Sequence, residues 1–214
     1  MYEKKEGNHM PRFFTVLIVL TFAAAGVYPQ AAECAKFDAQ GNPKCCNATG
    51  FGYCPANGCG VDLLLNAAKN RTDIPNESDV QQLTIAKIAA FKRPKVWAWN
   101  QSRALLESWG EGTPLRVTLY LQKVSRYPDG AEACNCNLKG EENNDYHLVL
   151  GTTKNAAEKR SMTAEITPRI RRTNWTYDRL KALADERTYV RVTGWAMLDT
   201  QHVGKPTPVR RTHW

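Results

Sequence analysis

From Leu115 to Gln122 apolar and polar residues alternate without a break: Leu115, Val117, Leu119 and Leu121 lie between Arg116, Thr118, Tyr120 and Gln122. A period of two places one set on the buried face of a strand and the other on its outer face. Three further segments read the same way: Asp145–Leu150, then Ser161–Thr167 with Met162, Ala164 and Ile166 inward, then Tyr189–Leu198 with Val190, Val192, Ala196 and Leu198 inward. Between the last two, Asn174 is placed to cap a helix running to about Arg187, with Leu180, Leu183 and Ala184 on one side. Before the strands the period is helical. Val61–Asn70 is one short helix, a capping box at Ser78-Asp79-Val80-Gln81 opens a second that reaches Phe91, and Ser102–Trp109 makes a third, closed by Gly110.

The order strand, strand, strand, helix, strand is that of an OB-fold awaiting its fifth strand. The predicted fold class is therefore α+β: a cysteine-rich helical and loop segment over residues 33–110, followed by an OB-like five-stranded barrel over residues 111–214. After the fourth strand, Pro206 and Pro208 interrupt the chain and cannot donate to a ladder, so only Val209–Trp214 is left to pair. That is a stub, and the fifth strand is expected to be truncated and to pair weakly.

The N-terminus changes the picture of where the protein works. Pro11-Arg12 precedes an apolar run from Phe13 to Ala25, too short to span a bilayer comfortably, and small residues follow as far as Ala31-Ala32. Residues 1–32 thus read as a secretory signal peptide, with Met10 a candidate start; a retained anchor is the competing reading. No second apolar run of spanning length follows, so no integral membrane segment is expected after cleavage.

Seven cysteines fit an oxidising compartment, periplasmic or extracellular. Cys34, Cys45, Cys46, Cys54 and Cys59 sit among Gly41, Pro43, Gly50, Gly52, Pro55, Gly58 and Gly60, where turns leave little room for a core and disulfides supply the constraint. Zinc is the alternative, but the spacing has no paired C-x-x-C and no nearby His. Cys134 and Cys136 are too close to bond each other readily, so each is expected to bridge elsewhere. Seven is odd, which leaves one thiol free or partnered outside the chain.

Composition is that of a globular protein, 43% hydrophobic and 23% charged. The net charge is +8, and residues 155–214 hold 12 Lys/Arg against 6 Asp/Glu. Such a bias either attracts a polyanion or is a solvated basic surface.

Chemistry-bearing residues gather at strand ends. Alternation puts Asp145 and His147 on one face, opposite Leu148 and Leu150, with Glu165 pointing away from the core on the neighbouring strand; Asp199 and His202 close the fourth strand. Carboxylates and imidazoles in this pattern hold a divalent metal through Asp145, His147 and Glu165, pair a base with its orienting acid, or only hydrogen-bond strand ends together. Arg169, Arg171 and Arg172 follow the third strand, with Tyr120, Trp175 and Trp195 as candidate neighbours, a combination that suits phosphates and stacking.

No Walker loop, Rossmann glycine pattern, nucleophile elbow or H-E-x-x-H occurs, which excludes the commonest enzyme classes. No cofactor is required by the sequence, and a divalent metal is the one candidate. The leading reading is an exported OB-like binding module for a polyanion or saccharide. A metal-dependent hydrolase of phosphodiesters and a structural periplasmic partner protein are the alternatives.

Glu111-Gly112-Thr113-Pro114, Cys134-Asn135-Cys136, the D-x-H-L-V-L run Asp145–Leu150, Glu165-Ile166-Thr167-Pro168-Arg169 and the V-T-G-W-x-x-x-D-T-x-H run Val192–His202 together resemble a family of exported bacterial proteins of uncharacterised activity. The resemblance spans about residues 59–214 and carries no activity with it. In that family the final Trp is followed by Glu, an aliphatic residue, His and Pro, whereas this chain ends at Trp214; this again implies a shortened last strand. A bacterial source also argues against glycosylation of the Asn-x-Ser/Thr sequons at Asn47, Asn70, Asn76, Asn100 and Asn174. Mass spectrometry of secreted protein is expected to find a mature N-terminus between residues 26 and 34; an intact leader would refute the signal-peptide reading.

Overall fold

Strand β2, Pro114–Ser125, is the spine of the protein. The structure, a computed structural model, describes Phe51, residues 54–126 and residues 132–203. β2 pairs antiparallel with β5 (Tyr189–Trp195) along its first half, from Pro114↔Trp195 to Tyr120↔Tyr189. Along its second half it pairs antiparallel with β3 (Tyr146–Gly151), from Tyr120↔Gly151 to Ser125↔His147. β3 in turn pairs antiparallel with β4 (Met162–Ile166), with His147 directly opposite Glu165. Helix α4 (Tyr177–Asp185), capped by the Thr176 hydroxyl, connects β4 to β5.

β2 runs three residues past the predicted alternation, and a bulge lies inside it. The register shifts between Leu121 and Lys123. An extra residue on one strand reverses which parity faces inward. Accordingly Leu115, Val117, Leu119 and Leu121 are buried before the shift and Val124 after it. Arg187, in the left-handed region at the end of α4, donates to the Gln122 carbonyl at this bulge.

Two expectations are corrected. The capping box at Ser78 does not start a helix: Asn76 caps a single 3₁₀ turn, Glu77–Asp79, and the chain then extends as β1 (Gln81–Gln82), parallel to β2 at Gln81↔Leu115. Sheet pairing outcompetes the local cap, and the helix begins only at α2 (Ile85–Ala89), capped by Thr84. The sheet also does not close into a barrel. Among the described residues its fifth strand is β1; the predicted stub Val209–Trp214 lies outside the described residues.

The remaining helices match their predicted positions with shorter spans: α1 (Leu63–Lys69), capped by Asp62, and α3 (Ala104–Glu107). Gly110 ends the α3 region at φ +122°, and a Cβ there would meet the Phe91 ring at 3.0 Å. The main core joins Ile85, Ile88 and Leu106 from the helices to Leu121, Leu150 and Leu198 from the sheet region.

The cysteine-rich segment is sewn onto the sheet. Cys54 and Cys136 form a disulfide and Cys59 is disulfide-bonded as well, as the turn-rich composition predicts. Cys134 does not follow the expectation; it is a buried free thiol. Gly58, at φ +57°, lets the backbone approach so closely that a Cβ would lie 2.4 Å from the Ala133 carbonyl oxygen. The Asn66 and Asn70 side-chain amides donate to the Cys59 and Cys134 carbonyls at 2.8 and 2.6 Å.

Arg103 anchors the far end of β5. Its guanidinium pairs with the Glu111 carboxylate and donates to the Leu198 carbonyl at 2.9 Å, while Glu111 accepts the Leu198 N–H. Both side chains are under a tenth exposed. Removing one partner of such a pair leaves a buried charge uncompensated. Arg103→Ala is therefore expected to lower unfolding free energy in urea by about 3–5 kcal/mol, and the double change to Met and Leu to recover part of it. A loss under about 1 kcal/mol would show that the pair behaves as a surface one.

Candidate functional site

Two adjoining features carry the polar chemistry: a cleft between β4 and β5, and a buried polar cluster behind it. β4 pairs only with β3 and β5 only with β2 among the described residues, so each leaves one edge without a strand neighbour. The space between them is a cavity of about 830 Å³. Leu115, Met162, Ile170 and Val192 make apolar wall, and Thr163 and Trp195 add polar groups.

The cations in this wall are already paired. Lys69 meets Glu165 at 2.9 Å, Arg103 meets Glu111, and Arg71 meets Asp73 at 2.6 Å while lying 3.8 Å over the Trp195 ring. Lys69 and Glu165 also form the boundary with the buried cluster. On the far side, His147 Nε2 lies 3.3 Å from Glu165 and 3.8 Å from Glu132. Asn135 donates to Asp145 Oδ1 at 2.9 Å and to Glu132 Oε2 at 2.8 Å. The donor atoms of Glu132, Cys134 and Asp145 all lie within 4.8 Å of one another.

β3 is buried along its whole length, on both faces, so this cluster is largely withdrawn from solvent. Alternation alone predicts an outer face for His147, but it is buried, with Glu132, just before the 3₁₀ turn Ala133–Asn135, and Glu165 of β4 against its ring. Low polarity then governs the protonation states. Burial, reinforced by the neighbouring Glu132 and Glu165 carboxylates, pushes the Asp145 carboxyl up to about 7. Burial likewise pushes the Cys134 thiol up. Glu165 is the opposite case: burial works against its charge, but the Lys69 ammonium and His147 hold it down at about 2. Burial also opposes the Lys69 charge, and Glu165 outweighs it and raises the ammonium above its usual value.

The predicted site residues separate into three groups. Asp145, His147 and Glu165 do come together. Asp199 and His202 pair with each other at 2.5 Å in the turn after β5 and line the cleft, away from Asp145. Arg169 and Arg171 are engaged by the chain itself: Arg169 donates to the Cys54 and Pro55 carbonyls, and Arg171 to those of Asn144, Glu141 and Glu142. Arg172 lies 5.5 Å over Trp175, whereas Tyr120 packs against Tyr189 with the rings tilted at 51° and Trp195 sits under Arg71. The expected arginine and aromatic face is thus not assembled as one patch.

Lys69, Glu132 and Cys134 are members that sequence reasoning missed. The only signals were a basic residue in the last turn of a short helix and an acid beside the C-x-C. No family model, curated protein or solved structure matches the chain.

The sign of the pH effect follows from Asp145. Its folded pKa lies above the unfolded value of 3.8, so its contribution is full below that value and is lost as pH rises through about 7. Glu165 acts in reverse, stabilising above 4.5 and losing that contribution as pH falls through about 2. In chelator-treated buffer, stability is expected to fall between pH 5 and 8 by up to about 1 kcal/mol per pH unit. Asp145→Asn should flatten that slope in urea denaturation. An equal decline in the variant would assign the effect to another group.

Proposed function

We propose that the protein is an exported binding module whose ligand occupies the cleft between β4 and β5, and that this ligand is a neutral, saccharide-like molecule rather than a polyanion. The observation carrying this reading is the pairing of the cleft cations, Lys69, Arg71 and Arg103, with Glu165, Asp73 and Glu111. A phosphate or sulfate would have to displace a carboxylate to reach any of them, at the cost of leaving a charge unpaired. An apolar wall with hydroxyls and a tryptophan suits a polar but uncharged ring, and the volume lies in the usual range for small-molecule sites.

An OB-type origin is supported by the strand pairing. The first long strand meets the second and the fourth, the third meets the second, and a helix joins third to fourth. In an OB-fold the barrel face carries the ligand. The likeness to exported bacterial proteins belongs to the same proposal. Export is favoured by the leader and by the Cys54–Cys136 disulfide, and among the described residues no helix is long and apolar enough to cross a membrane. Hydrolysis at Asp145, His147 and Glu165 is the weaker reading, because Asp145 is fully buried and of the three only Glu165 lines the cleft, where Lys69 already pairs with it.

Gly194 offers a direct test. It lines the cleft, and a Cβ there would meet nothing within 4 Å. Gly194→Trp should fill the cavity without disturbing the backbone. Titrating intrinsic fluorescence with neutral oligosaccharides and with heparin, the wild type should bind an oligosaccharide and the variant bind it about tenfold more weakly or worse, at unchanged melting temperature. Salt-sensitive heparin binding that survives Gly194→Trp, with no oligosaccharide binding, would overturn the reading.

A further inference from the structure

We propose that Glu132, Cys134 and Asp145 form a binding site for a single zinc-like divalent cation, distinct from the ligand cleft. Three observations converge on it. One carboxylate oxygen from each acid and the thiol sulfur lie within 4.8 Å of one another, a spread that small side-chain rotations can close onto one ion. Cys134 is a free thiol, although Cys54, Cys59 and Cys136 beside it are disulfide-bonded. Asp145, 0% exposed, gives one oxygen to Asn135 and leaves Oδ2 with no hydrogen-bond partner. A buried carboxylate oxygen without a donor is costly, and on a side chain that also offers a ligand atom to this trio it calls for a cation or a proton.

The donor set selects the kind of ion. One thiolate and two carboxylates suit a borderline-soft metal such as zinc, whereas calcium and magnesium favour all-oxygen shells. With both carboxylates and the thiolate ionised, a divalent ion leaves one negative charge on the trio. Lys69 lies beside it and is already matched to Glu165, so the trio and that pair together carry one negative charge. His147 faces both Glu165 and Glu132, and is placed to orient the Glu132 ligand as an outer-shell partner. Asn135, which donates to both acids, fixes their mutual spacing. Glu132, the partly exposed member, marks the side from which an ion enters. On binding, the Cys134 S–H and the Asp145 O–H each release a proton to solvent as the metal bonds form, with no change of oxidation state.

This set differs from Asp145, His147 and Glu165 as read from the sequence, and variants separate the two. The full chain, purified with its disulfides intact and stripped by a chelator, is titrated with cobalt(II) and zinc(II). One equivalent of cobalt should produce a thiolate-to-metal charge-transfer band. Cys134→Ser should abolish the band and weaken zinc binding by about tenfold or more, and Asp145→Asn should weaken it comparably. His202→Ala should leave both unchanged. Should Cys134→Ser fail to fold, pulsed alkylation of the wild type in mild denaturant decides: zinc should slow modification of the Cys134 peptide about tenfold or more. No band in the wild type, a band that persists in Cys134→Ser, or alkylation of Cys134 unaffected by zinc would overturn the proposal.

Discussion

The ammonium of Lys69 sits at 2.9 Å from Glu165, and both side chains are less than a fifth exposed. A charge taken this far out of water is tolerable only beside its opposite, and breaking such a pair costs about 3–5 kcal/mol. Lys69 is the last residue of α1, and Glu165 lies on β4 across from His147. Their contact therefore docks the cysteine-rich segment onto a sheet face that would otherwise be wet. It also lies between the cleft on one side and the cluster of Glu132, Cys134, Asp145 and His147 on the other.

The surrounding bonds act to keep that docking in place. The Cys54–Cys136 disulfide joins the segment before α1 to the turn that carries Cys134. Arg169, just after β4, reaches back to the Cys54 and Pro55 carbonyls, and Asn70, at the end of α1, reaches to Cys134. Each link spans two parts of the chain far apart in sequence, and together they leave Lys69 little freedom to withdraw. Arg169 and Arg171, which looked like part of a surface for anions, are in this way part of the frame. Arg103 and Glu111 play the matching role at the other end of the cleft, tying α3 and the start of β2 to the chain after β5.

Burial on both faces of β3 is what turns ordinary residues into a site. Two acids on the outer face of a half-exposed sheet would keep ordinary protonation and make no demand on their neighbours. Enclosed, they hold one another's charges in balance: Glu165 is ionised by Lys69, and Asp145 retains a proton or takes a cation. The cleft differs in kind, since its cations Lys69, Arg71 and Arg103 are each paired with a carboxylate and apolar side chains such as Leu115, Met162, Ile170 and Val192 form much of its wall.

The period-two runs at Leu115, Asp145, Met162 and Tyr189 placed the long strands, and the turn-rich cysteines announced disulfides, because alternation and turn chemistry are local properties of the chain. The same locality explains where such reading ended. Nothing near Gln81 tells that it will pair with Leu115, so its capping box looked like a helix start; nothing near Gln122 announces the bulge that carries β2 on to Ser125. The proximity of Asp145, His147 and Glu165 was legible, since all three follow from strand parity. Lys69, Glu132 and Cys134 were not, because they reach that face only when α1 and the C-x-C turn fold over it. Electrostatic partners are chosen by distance in space and by the loss of water around them, and only the tertiary structure decides both.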